Sequence, residues 1–138
     1  MDIFSHGLWA VLGSIFLNLK GKIQKINRFK VFFWGMFPDL CAFTIPFFYM
    51  MWNFIFNGVK MITQPDVEPI IDNLPIMHLA GNLYNLSHSL IFFAIVFAIA
   101  FWIFKKKAFI LGAWFLHIIM DIPTHSYQFY PTPILWPI

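Results

Sequence analysis

Ionisable side chains interrupt the apolar stretches of this chain, and this strongly limits the folds open to it. His6, Asp39, His88, His117 and Asp121 each lie within a hydrophobic run. At the depth of a bilayer such a side chain costs about 2.5–3.5 kcal/mol on insertion scales, so it normally faces a bundle interior and marks a functional site. The pattern therefore predicts a small helical membrane protein with a shared polar site.

Composition supports contact with a lipid bilayer. The 138 residues are 60% hydrophobic and 11% charged, whereas soluble domains carry about 25% charged residues. The net charge of +3 does not indicate a nucleic-acid partner, because the basic residues fall mostly in two short clusters, Lys20 to Lys30 and Lys105 to Lys107. A lone Cys41 excludes an intramolecular disulfide. We therefore expect an integral membrane protein that binds no nucleic acid.

The apolar stretches predict one all-α membrane domain over residues 1–138. A membrane helix needs about 20 apolar residues, and a shorter one can be embedded within a bundle. Proline-rich sequence from Pro123 onward is unsuited to a regular helix. The predicted helices cover about residues 3–19, 31–56, 83–104 and 108–122, with a polar outer loop at 57–82 and a tail at 123–138.

The basic clusters predict the orientation of this domain. Lys and Arg are enriched in cytoplasmic loops, so both clusters belong inside, and both termini and the acidic loop 57–82 belong outside. Asp2 precedes the first apolar run and the basic residues follow it, which is the reverse of a signal peptide. The first run is therefore expected to be a retained helix of a multi-pass protein.

The five intramembrane residues are predicted to lie at similar depth. Counted from the basic clusters at a rise of about 1.5 Å per residue, they fall about 13–25 Å above the inner boundary. His117 and Asp121 are four residues apart, so both face one side of a helix and both can bind one ion. Taken alone, this pair also fits an ordinary hydrogen-bonded pair inside a helix. His125 fits a loop histidine as well as a ligand, and His78 is expected to be structural, in the outer loop.

The order of these motifs resembles the YdjM-like family of inner-membrane metal-dependent hydrolases, which is LexA-regulated in some bacteria and distantly similar to zinc-dependent phospholipase C. The resemblance covers nearly the whole chain. It rests on four segments: Met1-Asp2-Ile3-Phe4-Ser5-His6; Pro38-Asp39; Ser87-His88-Ser89-Leu90; and His117, Asp121 and Thr124 followed by Leu135-Trp136-Pro137. Leu40-Cys41-Ala42 departs from the family, which often has a further Asp-His there.

The resemblance implies a bacterial inner-membrane location and a metal site. The residues that it implies as ligands are His6, Asp39, His88, His117 and Asp121, with His125 as a further candidate. Imidazole and carboxylate ligands suit Zn²⁺, and we expect one to three divalent ions.

These observations favour a membrane-bound hydrolase that uses metal-activated water on a lipid or lipid-linked phosphoester. In that hypothesis Asp39 and Asp121 are the candidate catalytic bases, and an amphiphilic, lipid-like molecule is the substrate. Two alternatives stay open: a transporter of metal ions or protons, and a non-catalytic membrane protein with a structural metal site. An open metal position would favour hydrolysis. A polar path through both leaflets would favour transport, and a closed four-ligand site would favour a structural role.

Overall fold

The fold is all-helical over the residues that the computed structural model describes, namely 3–19, 21, 26–58, 75–124 and 131–138. The elements in chain order are α1 (Ile3–Leu19), α2 (Arg28–Asn57), α3 (Pro75–Ser87), α4 (Leu90–Phe104), a 3-10 helix (Lys105–Leu111) and α5 (Gly112–Thr124). The predicted all-α class is confirmed within this part of the chain.

Among the described residues, fewer helices are long and apolar enough to cross a membrane than the four that were predicted. By length and composition one helix, Arg28–Asn57, can cross a membrane, and Pro75–Ser87 with Leu90–Thr124 qualifies only as a pair bent by 60°. The apolar helix Ile3–Leu19 has 17 residues and falls short of the length criterion. The described helices thus provide one or two candidate spans, and membrane embedding stays a prediction.

Helix α2 is close to its predicted bounds and has defined caps at both ends. The side chain of Asn27 accepts hydrogen bonds from the backbone N–H groups of Phe29 and Lys30, at 2.9 and 3.3 Å. Gly58 ends the helix in the left-handed conformation, with φ 62°, which glycine adopts at no steric cost. The helix continues through Pro38 and Pro46.

The predicted helix at 83–104 is wrong, because the chain breaks at His88 and Ser89. Ser89 has extended backbone angles, φ −80° and ψ 129°, and its Oγ accepts a hydrogen bond from the N–H of Phe92. Serine hydroxyls compete in this way with helical hydrogen bonds. The preceding helix α3 starts at Pro75, so the last eight residues of the predicted loop 57–82 are helical, and 59–74 lie outside the described residues.

The C-terminal region also differs in detail from the prediction. Helix α5 is preceded by a 3-10 turn, and Pro123 lies inside its last turn instead of starting the tail. The described end of the tail packs on the α3–α4 break. Ile134 O accepts from the backbone N–H of Leu90 at 3.0 Å, and Trp136 O accepts from Ser89 Oγ at 2.6 Å.

Helices α1 and α2 cross at backbone contact. A Cβ placed on Gly35 would lie 2.8 Å from Ala10 Cβ and 3.0 Å from Gly7 Cα. Small residues permit such close approach between membrane helices as well as in soluble proteins. This crossing carries the His6 ring to the Asp39 carboxylate.

Helix α5 packs between α2 and α4 through aromatic side chains. The Trp114 ring lies 6.4 Å from that of Trp34 on α2 and 5.4 Å from that of Phe93 on α4. Farther along α4, Phe101 lies 5.8 Å from Phe109 in the 3-10 helix that precedes α5, so the chain turns back and α5 runs antiparallel to α4. The packing buries one face of α5, and His117 and Asp121 lie on that face.

Candidate metal centre

The five ionisable residues singled out in the sequence form one buried cluster. His6 comes from α1, Asp39 from α2, His88 from the α3–α4 break, and His117 and Asp121 from α5. Each has a relative exposure of 5% or less. Elements far apart in the chain therefore bring three imidazoles and two carboxylates together.

The two other histidines considered above do not belong to the described cluster. His78 lies in the first turns of α3 and is exposed, so its predicted place in a loop is wrong. His125 lies outside the described residues.

Asp121 contacts all three imidazoles of the cluster. Its Oδ1 is 3.0 Å from His6 Nε2, and its Oδ2 is 3.3 Å from His88 Nε2 and 3.1 Å from His117 Nε2. Its side chain is fully buried. A carboxylate removed from water in this way requires compensating charge or hydrogen bonds.

Asp39 faces the same three imidazoles at slightly longer range. Its Oδ2 is 3.3 Å from His6 Nδ1, and its Oδ1 is 3.6 Å from His88 Nε2 and 3.7 Å from His117 Nε2. Its side chain is 7% exposed, whereas the other four side chains are fully buried. Asp39 is therefore the member of the cluster nearest to the surface.

Backbone carbonyls orient two of the imidazoles. His117 Nδ1 lies 2.6 Å from Gly35 O, and His88 Nδ1 lies 3.1 Å from Tyr84 O. Because a carbonyl oxygen can only accept, we assign the ring proton to Nδ1 in both residues. Metal-binding histidines are commonly held in this way by a hydrogen bond from the second ring nitrogen.

The remaining nitrogens of these two rings point at each other. His88 Nε2 and His117 Nε2 are 3.1 Å apart. With both Nδ1 atoms protonated, neutral rings would direct two lone pairs at one another. The arrangement therefore calls for a cation at this point, which can be a proton on one ring or a metal ion between them.

The donor atoms fit the dimensions of a tetrahedral zinc site. Asp39, His88, His117 and Asp121 each offer a donor atom, all within 4.8 Å of one another. Zinc binds nitrogen and oxygen at about 2.0–2.2 Å, and a tetrahedron of that size has edges of about 3.3–3.6 Å. Five of the six donor–donor distances lie between 3.1 and 3.7 Å. A metal ion in this group is thus compatible with the existing side-chain positions.

Three supporting residues, Gly35, Tyr84 and Trp114, were not among the functional residues predicted from the sequence. Gly35 and Tyr84 supply the carbonyls above, and the Tyr84 ring stacks on that of His88 with centroids 3.9 Å apart. Ser87 Oγ donates to Pro38 O at 3.1 Å, and Trp114 Nε1 donates to Ser87 O at 2.8 Å. The spacing of Tyr84 four residues before His88 is the one local signal that could have pointed to such support.

No family model, curated protein or solved structure matches this chain.

Proposed function

We propose that this protein is a membrane-embedded, metal-dependent hydrolase acting on a lipid or lipid-linked phosphoester. The observation that carries the proposal is the pair of Nε2 atoms of His88 and His117, 3.1 Å apart with both Nδ1 atoms directed at carbonyls. A divalent ion between them accounts for both orientations. The motif resemblance to the YdjM-like hydrolases supports the same class.

Zn²⁺ is the favoured ion. Imidazole nitrogens suit zinc better than they suit Mg²⁺ or Ca²⁺, which prefer oxygen ligands. The donor set contains two imidazoles and two carboxylates, and its spacing matches zinc–ligand lengths. When bound, such an ion supplies Lewis acidity and lowers the pKa of a coordinated water to about 7.

The donors divide into a tight group of three and one more distant member. His88, His117 and Asp121 have donor atoms 3.1–3.3 Å apart, whereas Asp39 Oδ1 lies 3.6 and 3.7 Å from the two imidazoles. Catalytic zinc sites commonly use three protein ligands and leave one position exchangeable. Asp39 would be the exchangeable donor, and its carboxylate would be placed to accept a proton from a nucleophilic water.

Membrane residence rests on the exposed apolar surface of the helices. Helix α4, LIFFAIVFAIAFWIF, has no buried residue, and a helix that is apolar on all sides requires an apolar surrounding. Val31 near the start of α2 packs in one cluster with Ile110, which follows the Lys105–Lys107 cluster closely. The described basic residues Arg28 and Lys30 therefore lie toward the same end of the bundle as Lys105–Lys107, which supports a cytoplasmic face there under the positive-inside rule.

Cysteine labelling tests this orientation. In a Cys41→Ala background, Asn57→Cys at the end of α2 should react with a membrane-impermeant maleimide added outside, and Lys106→Cys should not. Both positions are exposed. The reverse labelling pattern would contradict the proposed topology.

An apolar cleft along helix α5 supports a substrate with a hydrocarbon chain. The cleft has a volume of about 620 Å³ between α1 and α5 and is lined by Trp9, Leu12, Phe16, Leu116 and Met120 among others. Met120 and Leu116 directly precede the site residues Asp121 and His117 in α5. An acyl chain in this cleft would lie alongside the helix that carries two of the metal ligands.

The cleft can be tested by filling it. Gly13 lines it, and a Cβ there would make only an ordinary contact of 3.6 Å with Leu116 Cδ2. Gly13→Leu should therefore fold but lower the kcat/KM for long-chain phosphoesters by about 10–200-fold, the range for one methylene group in an apolar pocket. Hydrolysis of a short-chain, water-soluble phosphoester should change little. Equal loss on both substrates would contradict a chain-binding role.

The central experiment joins metal analysis to an activity assay. Protein purified in detergent without chelators should contain one or more equivalents of zinc and hydrolyse members of a lipid-phosphoester panel. Chelation should abolish both the zinc content and the hydrolytic activity, and added zinc should restore both. His78→Ala is the matched control, because His78 is exposed and lies outside the cluster. Wild-type protein without stoichiometric transition metal, or inactive with it, would refute the proposal.

A structural metal site is the second candidate, because all four donors are buried. Asp39→Asn separates the two functions. If Asp39 is the exchangeable donor, the variant keeps its zinc and its unfolding midpoint but loses activity. If the site is structural, zinc content and stability fall together, because closed four-ligand sites contribute directly to folding.

A further inference from the structure

We propose that His6 is a positioning residue which holds both metal-binding carboxylates, and that it is not a ligand of the ion. This inference rests on the metal site of the proposed function and departs from the role that the motif resemblance implies for His6. It concerns which atoms of Asp39 and Asp121 face the ion and which face His6.

Each carboxylate divides its two oxygens between the ion site and His6. Asp39 Oδ1 and Asp121 Oδ2 face the Nε2 atoms of His88 and His117, at 3.1–3.7 Å. The other two oxygens, Asp39 Oδ2 and Asp121 Oδ1, lie 3.3 Å from His6 Nδ1 and 3.0 Å from His6 Nε2. His6 therefore lies between the two carboxylates and faces one oxygen of each.

Each ring nitrogen of His6 faces one carboxylate oxygen: Nδ1 is hydrogen-bonded to Asp39 Oδ2 at 3.3 Å, and Nε2 approaches Asp121 Oδ1 at 3.0 Å without hydrogen-bond geometry. The four-donor group consists of Asp39, His88, His117 and Asp121 and does not include His6. The ring of His6 lies beside that of His117, with centroids 3.8 Å apart and planes tilted by 46°. In this geometry His6 packs on the ring of His117 and contacts the carboxylate oxygens Asp39 Oδ2 and Asp121 Oδ1.

Such contacts fix a carboxylate in a one-oxygen binding mode. Ligating carboxylates are usually hydrogen-bonded themselves, and loss of an outer partner typically lowers metal affinity 10–100-fold. Loss of a direct ligand removes a bond to the ion and has a larger effect. The two roles thus predict different metal-binding behaviour for a His6 variant.

The test measures zinc affinity by chelator competition and records the visible spectrum of the Co²⁺-substituted protein. The variants are His6→Ala, His6→Gln and His117→Ala, all in detergent. His6→Ala should bind one ion per site with 10–100-fold weaker affinity and an unchanged Co²⁺ absorption band, because the coordination number is preserved. His6→Gln, which retains an N–H donor, should recover part of the affinity. His117→Ala should lose the ion.

Three results would overturn the inference. His6→Ala could lose the ion as completely as His117→Ala does, or its Co²⁺ band could change as expected for a lost ligand. Wild type could also bind two ions and His6→Ala one, which would make His6 a ligand of the second. Wild-type protein that binds no ion refutes the proposed function itself, whereas these three results refute only the role of His6. If His6→Ala does not fold, the comparison of His6→Gln with wild type decides.

Discussion

Replacing Gly35 by alanine tests the helix crossing on which the whole site depends. The new Cβ would lie 2.8 Å from Ala10 Cβ and 3.0 Å from both Gly7 Cα and the His6 carbonyl oxygen. Carbon atoms pack at about 3.5–4.0 Å, so α1 must move away by about 0.5–1 Å. Two of these obstacles are backbone atoms, which cannot be relieved by a rotamer change. The His6–Asp39 contact, now 3.3 Å, would lengthen beyond hydrogen-bonding range.

The expected cost follows from two opposing effects. Overpacking typically costs about 1–3 kcal/mol, and the higher helix propensity of alanine returns up to about 1 kcal/mol. We expect Gly35→Ala to lower the free energy of unfolding by about 1–2 kcal/mol and to weaken zinc binding. A denaturing-detergent titration followed by tryptophan fluorescence measures the free energy of unfolding. Chelator competition measures the affinity for zinc.

Gly81→Ala is the matched control for this substitution. Gly81 lies inside α3, and nothing lies within 4 Å of a Cβ placed there. Alanine should therefore stabilise the protein by about 0.5–1 kcal/mol through helix propensity alone. If Gly35→Ala is as stable as Gly81→Ala and binds zinc like wild type, the close crossing of α1 and α2 is wrong.

Two further predictions concern residues that support the site, and a third concerns stabilisation by zinc. Trp114→Phe keeps the buried ring but leaves Ser87 O without its indole donor, so unfolding free energy should fall by about 1–3 kcal/mol; an unchanged denaturation midpoint would contradict this. Ser89→Ala removes the cap of α4 and the bond to the tail, which should cost about 0.5–2 kcal/mol and speed proteolysis of the C-terminus, measured by mass spectrometry. Zinc at 100 times its dissociation constant should stabilise wild type by about 2.7 kcal/mol, and the unfolding of His117→Ala should be insensitive to zinc.

The sequence predicted the site residues well where an ionisable side chain interrupts an apolar helix, because burying such a group is energetically unfavourable. His6, Asp39, His88, His117 and Asp121 were predicted to converge because isolated polar groups in apolar helices need partners, and the structure brings them together. The bounds of α1 match the prediction, because an apolar run followed by basic residues has a clear end. These features depend on local composition.

Other features depend on contacts across the chain and left no clear local signal. The apolar run from 83 to 104 continues on both sides of His88, so composition alone favoured one helix. Its break is stabilised by bonds to distant partners, including Trp114, Ile134 and Trp136. The importance of Gly35 likewise follows only from the close contact with Gly7 and Ala10 of α1 at the helix crossing.

The interruptions in the helices and the orientation of the ligands have a common physical basis. A regular helix uses its carbonyls internally, whereas the last four carbonyls of a helix have no helical partner. At the end of α3, Ser87 O accepts from Trp114 Nε1, whereas Tyr84 O accepts both the backbone N–H of His88 at 2.9 Å and His88 Nδ1 at 3.1 Å. In α2 the carbonyls of Gly35 and Pro38 accept from His117 Nδ1 and Ser87 Oγ. A straight α3–α4 helix would engage Ser87 O in a helical hydrogen bond and withdraw it from Trp114, whereas Tyr84 O already combines a helical hydrogen bond with its contact to His88. The break at the Ser-His-Ser segment therefore supports the site through Ser87 O, and restoring helix there should release the indole of Trp114 first.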